Sequence, residues 1–178
     1  GVGILGWAQR WAQVPLRFLM DQVIRVTFPA YSKLQDEKVH LKRALERSVF
    51  LICLLIFPVL AGMGFLMPKV VAVFPQYSKW TVALVPFWLY LGSFFWGVVT
   101  APIVNAFNSV GKVKITLKLM VLWTGLTWIL TPFLAKIYGA NGAALGLFLV
   151  SSTSFIGWIM AKKEFAISFR RILLVPLL

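Results

Sequence analysis

Long apolar stretches separated by short polar turns dominate this amino-acid sequence. They lie at residues 4–28, 48–67, 80–108, 113–135 and 140–161. A helix needs about 20 apolar residues to cross the roughly 30 Å hydrocarbon core of a bilayer. Lipid offers the backbone no hydrogen-bonding partner, so such a segment satisfies its own amides as a helix. The sequence therefore predicts an all-α fold, a polytopic transmembrane helix bundle of about five spans.

The basic residues flank these stretches asymmetrically. The chain has 18 Lys and Arg against 5 Asp and Glu. Twelve basic residues follow the first, third and fifth stretches. The turns after the second and fourth stretches hold only Lys69, Lys79 and Lys136. By the positive-inside rule the richer side is cytoplasmic, so the first span begins outside. We predict contact with membrane lipids and no nucleic-acid binding. The twelve residues are Lys33, Lys38, Lys42, Arg43, Arg47, Lys112, Lys114, Lys118, Lys162, Lys163, Arg170 and Arg171.

The first apolar stretch contains charged residues at regular helical spacing. Arg10, Gln13, Arg17, Asp21 and Arg25 fall on one stripe about 120° wide when each residue advances by about 100°. The stripe runs about 22 Å along the helix axis. An arginine at the centre of a span costs roughly 2.5 to 3.5 kcal/mol when it faces lipid. We therefore expect the stripe to face a bundle interior or an aqueous cavity.

Two interpretations of this stripe are open. Arg17, Asp21 and Arg25 are spaced i, i+4, i+8, so the carboxylate can pair with both arginines in an internal ion ladder. That ladder leaves Arg10 without a carboxylate and the stripe with a net charge of +2. The other interpretation, which we favour, is a cationic surface that faces the substrate. Guanidinium groups suit phosphate, because they form paired hydrogen bonds with its oxygens.

Four segments resemble a known family. They read "GWAQRWAQVPLRFL...VTFPAYSKLQ", "FPQYSKW", "NAFNSVGKVK" and "YGANGAALG". In this order and at this spacing they resemble the C-terminal lobe of polysaccharide-biosynthesis flippases, in the multidrug/oligosaccharidyl-lipid/polysaccharide exporter superfamily. The chain is similar in particular to the O-antigen (Wzx-like) branch. The resemblance covers nearly the whole chain.

The resemblance implies a function and a partner. Such proteins flip undecaprenyl-pyrophosphate-linked oligosaccharide across the cytoplasmic (inner) membrane by alternating access between two lobes. This chain would be a C-terminal lobe truncated at both ends, its partner the missing N-terminal lobe. Its first span would line the cavity. Lipid II flippases carry an arginine implicated in substrate binding where Arg10 stands, but they have an aspartate at the position of Gln9, so the oligosaccharide branch is favoured.

Three other functions compete with this interpretation. A multidrug exporter of the same superfamily would need acidic groups in its cavity, whereas this stripe is net positive. A lipid II flippase is a second alternative. A membrane enzyme would need general acids, bases or metal ligands, but the sole histidine, His40, lies in a charged cytoplasmic segment. We therefore predict a transporter with no catalytic residue, cofactor or metal.

Glycines and tryptophans near the predicted turns have simpler explanations than ligand binding. Gly139, Gly142 and Gly146 favour a turn followed by a close contact between helices. Trp7 and Trp11 lie near the predicted outer interface, where tryptophan is enriched. Stacking of these two rings on a sugar is the alternative.

Overall fold

A computed structural model of the chain describes residues 2–167, apart from the side chains of residues 15, 16 and 18–24. No strand occurs in this part of the chain, which confirms the all-α prediction. Arg170 and Arg171 lie outside the described residues. The helices are α1 Val2–Lys33, α2 Lys38–Val73, a 3-10 helix Pro75–Ala83, α3 Leu84–Ser109, α4 Val113–Ser152 and α5 Phe155–Phe165.

Helix α3 is the centre of the bundle, since α1, α2, α4 and α5 all pack against it. Its first half contributes Phe87, Tyr90 and Leu91 to an apolar cluster with residues of α1, α2 and α4. Its second half contributes Ile103 and Phe107 to a cluster near the opposite end. Each cluster also contains residues of α1, so α1 is held against the bundle near both of its ends.

Helix α2 is longer than a bilayer is thick. Its 36 residues extend over about 54 Å at about 1.5 Å per residue. The sequence predicts the second span at 48–67, and the same helix continues back through the charged segment before it. Every fourth residue is buried, at Leu41, Leu45 and Val49, whereas Arg43 and Arg47 between them are exposed. The charged segment is therefore the amphipathic first part of α2.

Helix α4 consists of two antiparallel arms, 113–138 and 140–152, that meet at Gly139. The φ of Gly139 is 60° and its ψ is −134°, a conformation that side chains with a Cβ rarely adopt. A Cβ added at Gly142 would overlap the backbone carbonyl oxygen of Leu134, and one at Gly146 would lie 2.9 Å from Cα of Thr131. The predicted turn and close helix contact are therefore confirmed.

Three helical stretches among the described residues are long and apolar enough to cross a membrane. They are Lys38–Val73, Pro75–Ser109 and Val113–Phe165, and the last contains both arms of α4 together with α5. Helix α1 is not among them, because its arginines and glutamines lower its hydropathy. The membrane limits of the five predicted spans stay a prediction.

Candidate functional site

Helix α1 packs one side against the bundle and leaves another side open. Ala8 and Ala12 are fully buried among residues of α2, α3 and α4. Arg10 lies two residues from each, which is about 200° around a helix axis, and it is exposed. The small alanines allow α1 to approach its neighbours closely. Arg10 therefore lies outside the packed interior of the five-helix bundle.

The other two arginines of α1 are exposed as well. Arg17 and Arg25 both lie on the surface of the bundle. Thr27, two residues beyond Arg25, is buried, and Nδ2 of Asn105 in α3 donates a hydrogen bond to its Oγ1 at 3.4 Å. The alternation seen at Ala8, Arg10 and Ala12 thus recurs near the other end of the helix. All three arginines lie outside the interior of this bundle.

A hydrogen bond fixes Arg17 along the helix. Its guanidinium Nη2 donates to Oε1 of Gln13 at 3.2 Å, one turn earlier. Gln13 is half-buried. The side-chain oxygen of Gln13 accepts a hydrogen bond from one of the five N–H donors of the guanidinium. Two of the predicted site residues are therefore in direct contact.

The side chain of Asp21 lies outside the described residues. Whether it pairs with Arg17 and Arg25 in the predicted ion ladder stays a prediction. The two arginines are exposed at their positions on either side of it.

An opening with aromatic walls lies beside Arg10 at the start of α1. We call it the aromatic cleft. Its volume is about 480 Å³. Arg10 lines it together with glycines and tryptophans of α1 and one tryptophan of the 3-10 helix. Its lining residues are Val2, Gly3, Gly6, Trp7, Arg10, Trp11 and Trp80.

Three indole rings form the walls of the aromatic cleft. Trp7 and Trp80 are stacked, with ring centroids 5.4 Å apart and planes 8° apart. Trp11 is tilted by 54° to Trp7 at 6.3 Å. Nζ of Lys79 lies 5.5 Å from the Trp80 ring centroid, within the range of a cation–π contact. The sequence does not predict that Trp80 belongs to this site, because no local pattern shows that the 3-10 helix returns to the start of α1.

A second opening, which we call the basic cleft, lies where α2 and α4 begin. Its volume is about 530 Å³. Lys38, Lys42 and Arg43 of α2 line it together with Lys112, and Lys112 forms an ion pair with Glu164 of α5. The turns before α2 and α4 and the end of α5 therefore meet at one end of the bundle. These are the three segments that the charge pattern predicts on the cytoplasmic side.

Cysteine labelling tests this orientation. In a Cys53→Ser background, Lys38→Cys lies beside the basic cleft and Gln76→Cys lies on the 3-10 helix, and both native side chains are exposed. We expect an impermeant maleimide to label Gln76→Cys in intact spheroplasts and to label Lys38→Cys only after permeabilisation. Gln76 is preferred to Lys79, which contacts Trp80. Labelling of Lys38→Cys in sealed cells would reverse the orientation.

The histidine offers no enclosed site. Nε2 of His40 lies 3.6 Å from Oε2 of Glu37, three residues earlier, and both side chains are more than half exposed. Among the side chains that the structure describes, no three His, Cys, Asp or Glu come together as metal ligands would.

The first part of the chain is similar to a known protein family. Residues 1–85 match the family model described as "Polysaccharide biosynthesis protein". The matched part contains α1, α2 and the 3-10 helix, and so all five predicted site residues and all three tryptophans of the aromatic cleft. No curated protein and no solved structure matches the chain. The resemblance to a polysaccharide-biosynthesis family is confirmed over residues 1–85, while the C-terminal-lobe position and the O-antigen branch stay predictions.

Proposed function

Because residues 1–85 carry the pattern of the polysaccharide biosynthesis family, we propose that the chain is one lobe of a flippase for lipid-linked glycans. The family match and the membrane-capable helices support a membrane transporter. The proposed substrate is an oligosaccharide linked to undecaprenyl pyrophosphate. It crosses the cytoplasmic membrane by alternating access between this lobe and a second, N-terminal lobe of the same protein.

The exposure of three arginines on α1, the helix that we predict to be the first span, carries this proposal. Arg10, Arg17 and Arg25 are spread over about 22 Å of α1, most of the thickness of a bilayer core. If this surface faced lipid, each central arginine would cost roughly 2.5 to 3.5 kcal/mol. A second lobe that covers the surface turns it into the wall of a cavity, and the arginines then remain solvated between the lobes.

A pyrophosphate needs such a wall in order to cross. Two unit charges 4 Å apart attract by about 1 kcal/mol in water and by several times more at the lower effective dielectric of a protein cavity. Arginines at several depths supply counter-charge along the whole path. Their planar donor forks fit phosphate oxygens in pairs. We assign Arg10, Arg17 and Arg25 to phosphate contact, Gln13 to orienting Arg17, and Asp21 to tuning the charge of the same stripe.

The charge of α1 opposes the drug-exporter alternative. The exposed side chains that the structure describes on α1 include three arginines. These repel a cationic drug and attract an anionic head group. One carboxylate, Asp21, belongs to the stripe, against three guanidinium groups. The charge balance of the proposed cavity wall therefore favours an anion.

Deletion and complementation test the proposed function. A strain that lacks the full-length gene is expected to lose its surface glycan and to accumulate lipid-linked glycan on the cytoplasmic side. The wild-type gene on a plasmid should restore both. Surface glycan is measured by gel and lipid-linked glycan by mass spectrometry. Unchanged surface glycan in the deletion strain, together with raised sensitivity to cationic drugs, would instead assign the protein to drug export.

A further inference from the structure

At the start of α1, the end away from the basic cleft, three indole rings and a guanidinium share one opening. We propose that the aromatic cleft binds a sugar ring of the glycan, next to the pyrophosphate held by Arg10. This inference rests on the proposed function and adds to it a site for the sugar. By the orientation given above, the cleft lies on the external side, where the glycan leaves.

The rings have the arrangement that a sugar requires. Trp7 and Trp80 come from different elements and lie nearly parallel, 5.4 Å apart, so they form one rigid wall. Trp11 is tilted by 54° and is 40% exposed, so part of its indole surface is open. A pyranose presents a flat face of C–H groups, which packs on a large apolar ring. The corner between Trp7 and Trp11 thus offers an apolar wall of fixed shape.

Arg10 supplies the polar half of the site. It is the charged residue that lines the cleft. The hydroxyl groups of a sugar project from the rim of its ring and accept hydrogen bonds, and a guanidinium has five N–H donors in one plane. The sugar nearest the pyrophosphate lies beside the phosphate in the substrate itself. Arg10 can therefore hold a phosphate oxygen while the adjoining sugar lies against Trp11.

The cleft has room for this occupant. Its volume of about 480 Å³ lies within the range of roughly 300 to 1,000 Å³ found for small-molecule sites. Gly3 and Gly6 line it, and a Cβ added at either would meet no atom within 4 Å. The glycines therefore leave space in the cleft, and among the described residues neither is needed for a close contact between helices.

Anchoring in the membrane interface does not explain this geometry. Interfacial tryptophans lie singly at the level of the lipid head groups. Trp128 on α4, which is 77% exposed, shows how open an unstacked indole on this bundle can be. Stacking of Trp7 on Trp80 withdraws both rings from lipid, since each is only partly exposed. The pair serves instead to hold the wall against which Trp11 and Arg10 are placed.

The test compares two ligands on the full-length protein in nanodiscs. One is undecaprenyl-pyrophosphate-linked glycan extracted from the deletion strain, and the other is undecaprenyl pyrophosphate alone. Trp11→Ala should weaken binding of the glycan-bearing lipid by about tenfold, near the low end of the range that holds for a nucleobase stacked on an aromatic side chain. Binding of the glycan-free lipid should not change. Trp11→Phe should retain most of the affinity, because it keeps an aromatic face.

A second variant fills the cleft without removing a ring. Gly6→Leu adds a side chain where the Cβ position is open, so the fold should persist while the sugar is excluded. It should weaken binding of the glycan-bearing lipid as Trp11→Ala does. Trp128→Ala is the matched control, because it removes an exposed indole from α4 and should leave both affinities unchanged.

The two ligands separate the possible failures. Equal weakening of both lipids by Trp11→Ala would show that the cleft binds lipid or phosphate and would overturn the sugar site. Unchanged affinity for the glycan-bearing lipid in both variants would overturn it as well. If the wild-type protein binds neither lipid, the proposed function itself fails, and the sugar site fails with it.

Discussion

Replacement of Arg10 by alanine is expected to abolish export of the surface glycan while the protein remains folded in the membrane. Arg10 is exposed on the side of α1 opposite the buried Ala8 and Ala12, so its removal leaves no cavity in the bundle. Loss of one partner from a desolvated charge pair typically costs about 2 to 5 kcal/mol, or a factor of about 30 or more in affinity. Complementation of the deletion strain, with membrane protein quantified by blotting, measures the effect.

Two further variants define what Arg10 does. Arg10→Lys should restore export only in part, because an ammonium group lacks the paired donors that fit phosphate. Arg47→Ala removes an exposed guanidinium from the amphipathic first part of α2 and should export normally. Normal export by Arg10→Ala at normal protein level would remove Arg10 from the mechanism and leave the ion ladder of Arg17, Asp21 and Arg25 as the better explanation of the stripe.

Gly142→Ala is expected to have the largest effect on folding. A Cβ at this position would overlap the carbonyl oxygen of Leu134 across the hairpin of α4. A backbone atom cannot rotate away as a side chain can, so the two arms must separate. We expect destabilisation of about 3 kcal/mol or more, the upper end of the range for overpacked sites. The melting temperature in detergent, followed by fluorescence-detected size exclusion, should fall sharply.

Gly125→Ala is the matched control for this variant. Gly125 is in the first arm of the same helix, and an added Cβ there meets no atom within 4 Å. Since alanine favours a helix more than glycine does, Gly125→Ala should be neutral or slightly stabilising. Equal melting temperatures for Gly142→Ala and the wild-type protein would mean that the arms of α4 do not pack at this distance.

Much of the fold follows from the sequence, because long apolar stretches leave lipid-embedded backbone no alternative to helix. The turn at Gly139 was also predictable, because glycine is common in turns and recurs at Gly142 and Gly146, where it allows close helix contact. The continuation of α2 through residues 38–47 was less visible. Its charges resemble those of a separate surface helix, and only the buried stripe of Leu41, Leu45 and Val49 shows that it belongs to the bundle.

The sequence predicted which site residues share a side of α1, but not their tertiary contacts. Helical spacing shows that Arg10, Arg17 and Arg25 share a side of α1, but it does not show which side is packed. That depends on Ala8, Ala12 and Thr27 meeting residues distant in the chain. The stacking of Trp80 on Trp7 joins residues 73 positions apart. Contacts of this kind come from tertiary packing, and no local pattern encodes them.

Reconstitution of the full-length protein in liposomes tests the central claim most directly. Lipid-linked glycan is placed in both leaflets, and the fraction accessible to an impermeant glycosidase outside the vesicle is followed with time. With wild-type protein, the glycan of the inner leaflet should become accessible, and with Arg10→Ala it should stay protected as in protein-free vesicles. An ion gradient in either direction can be supplied in case transport needs one. If the inner-leaflet glycan still stays protected with folded wild-type protein, the result would contradict the assignment of this chain to glycan transport.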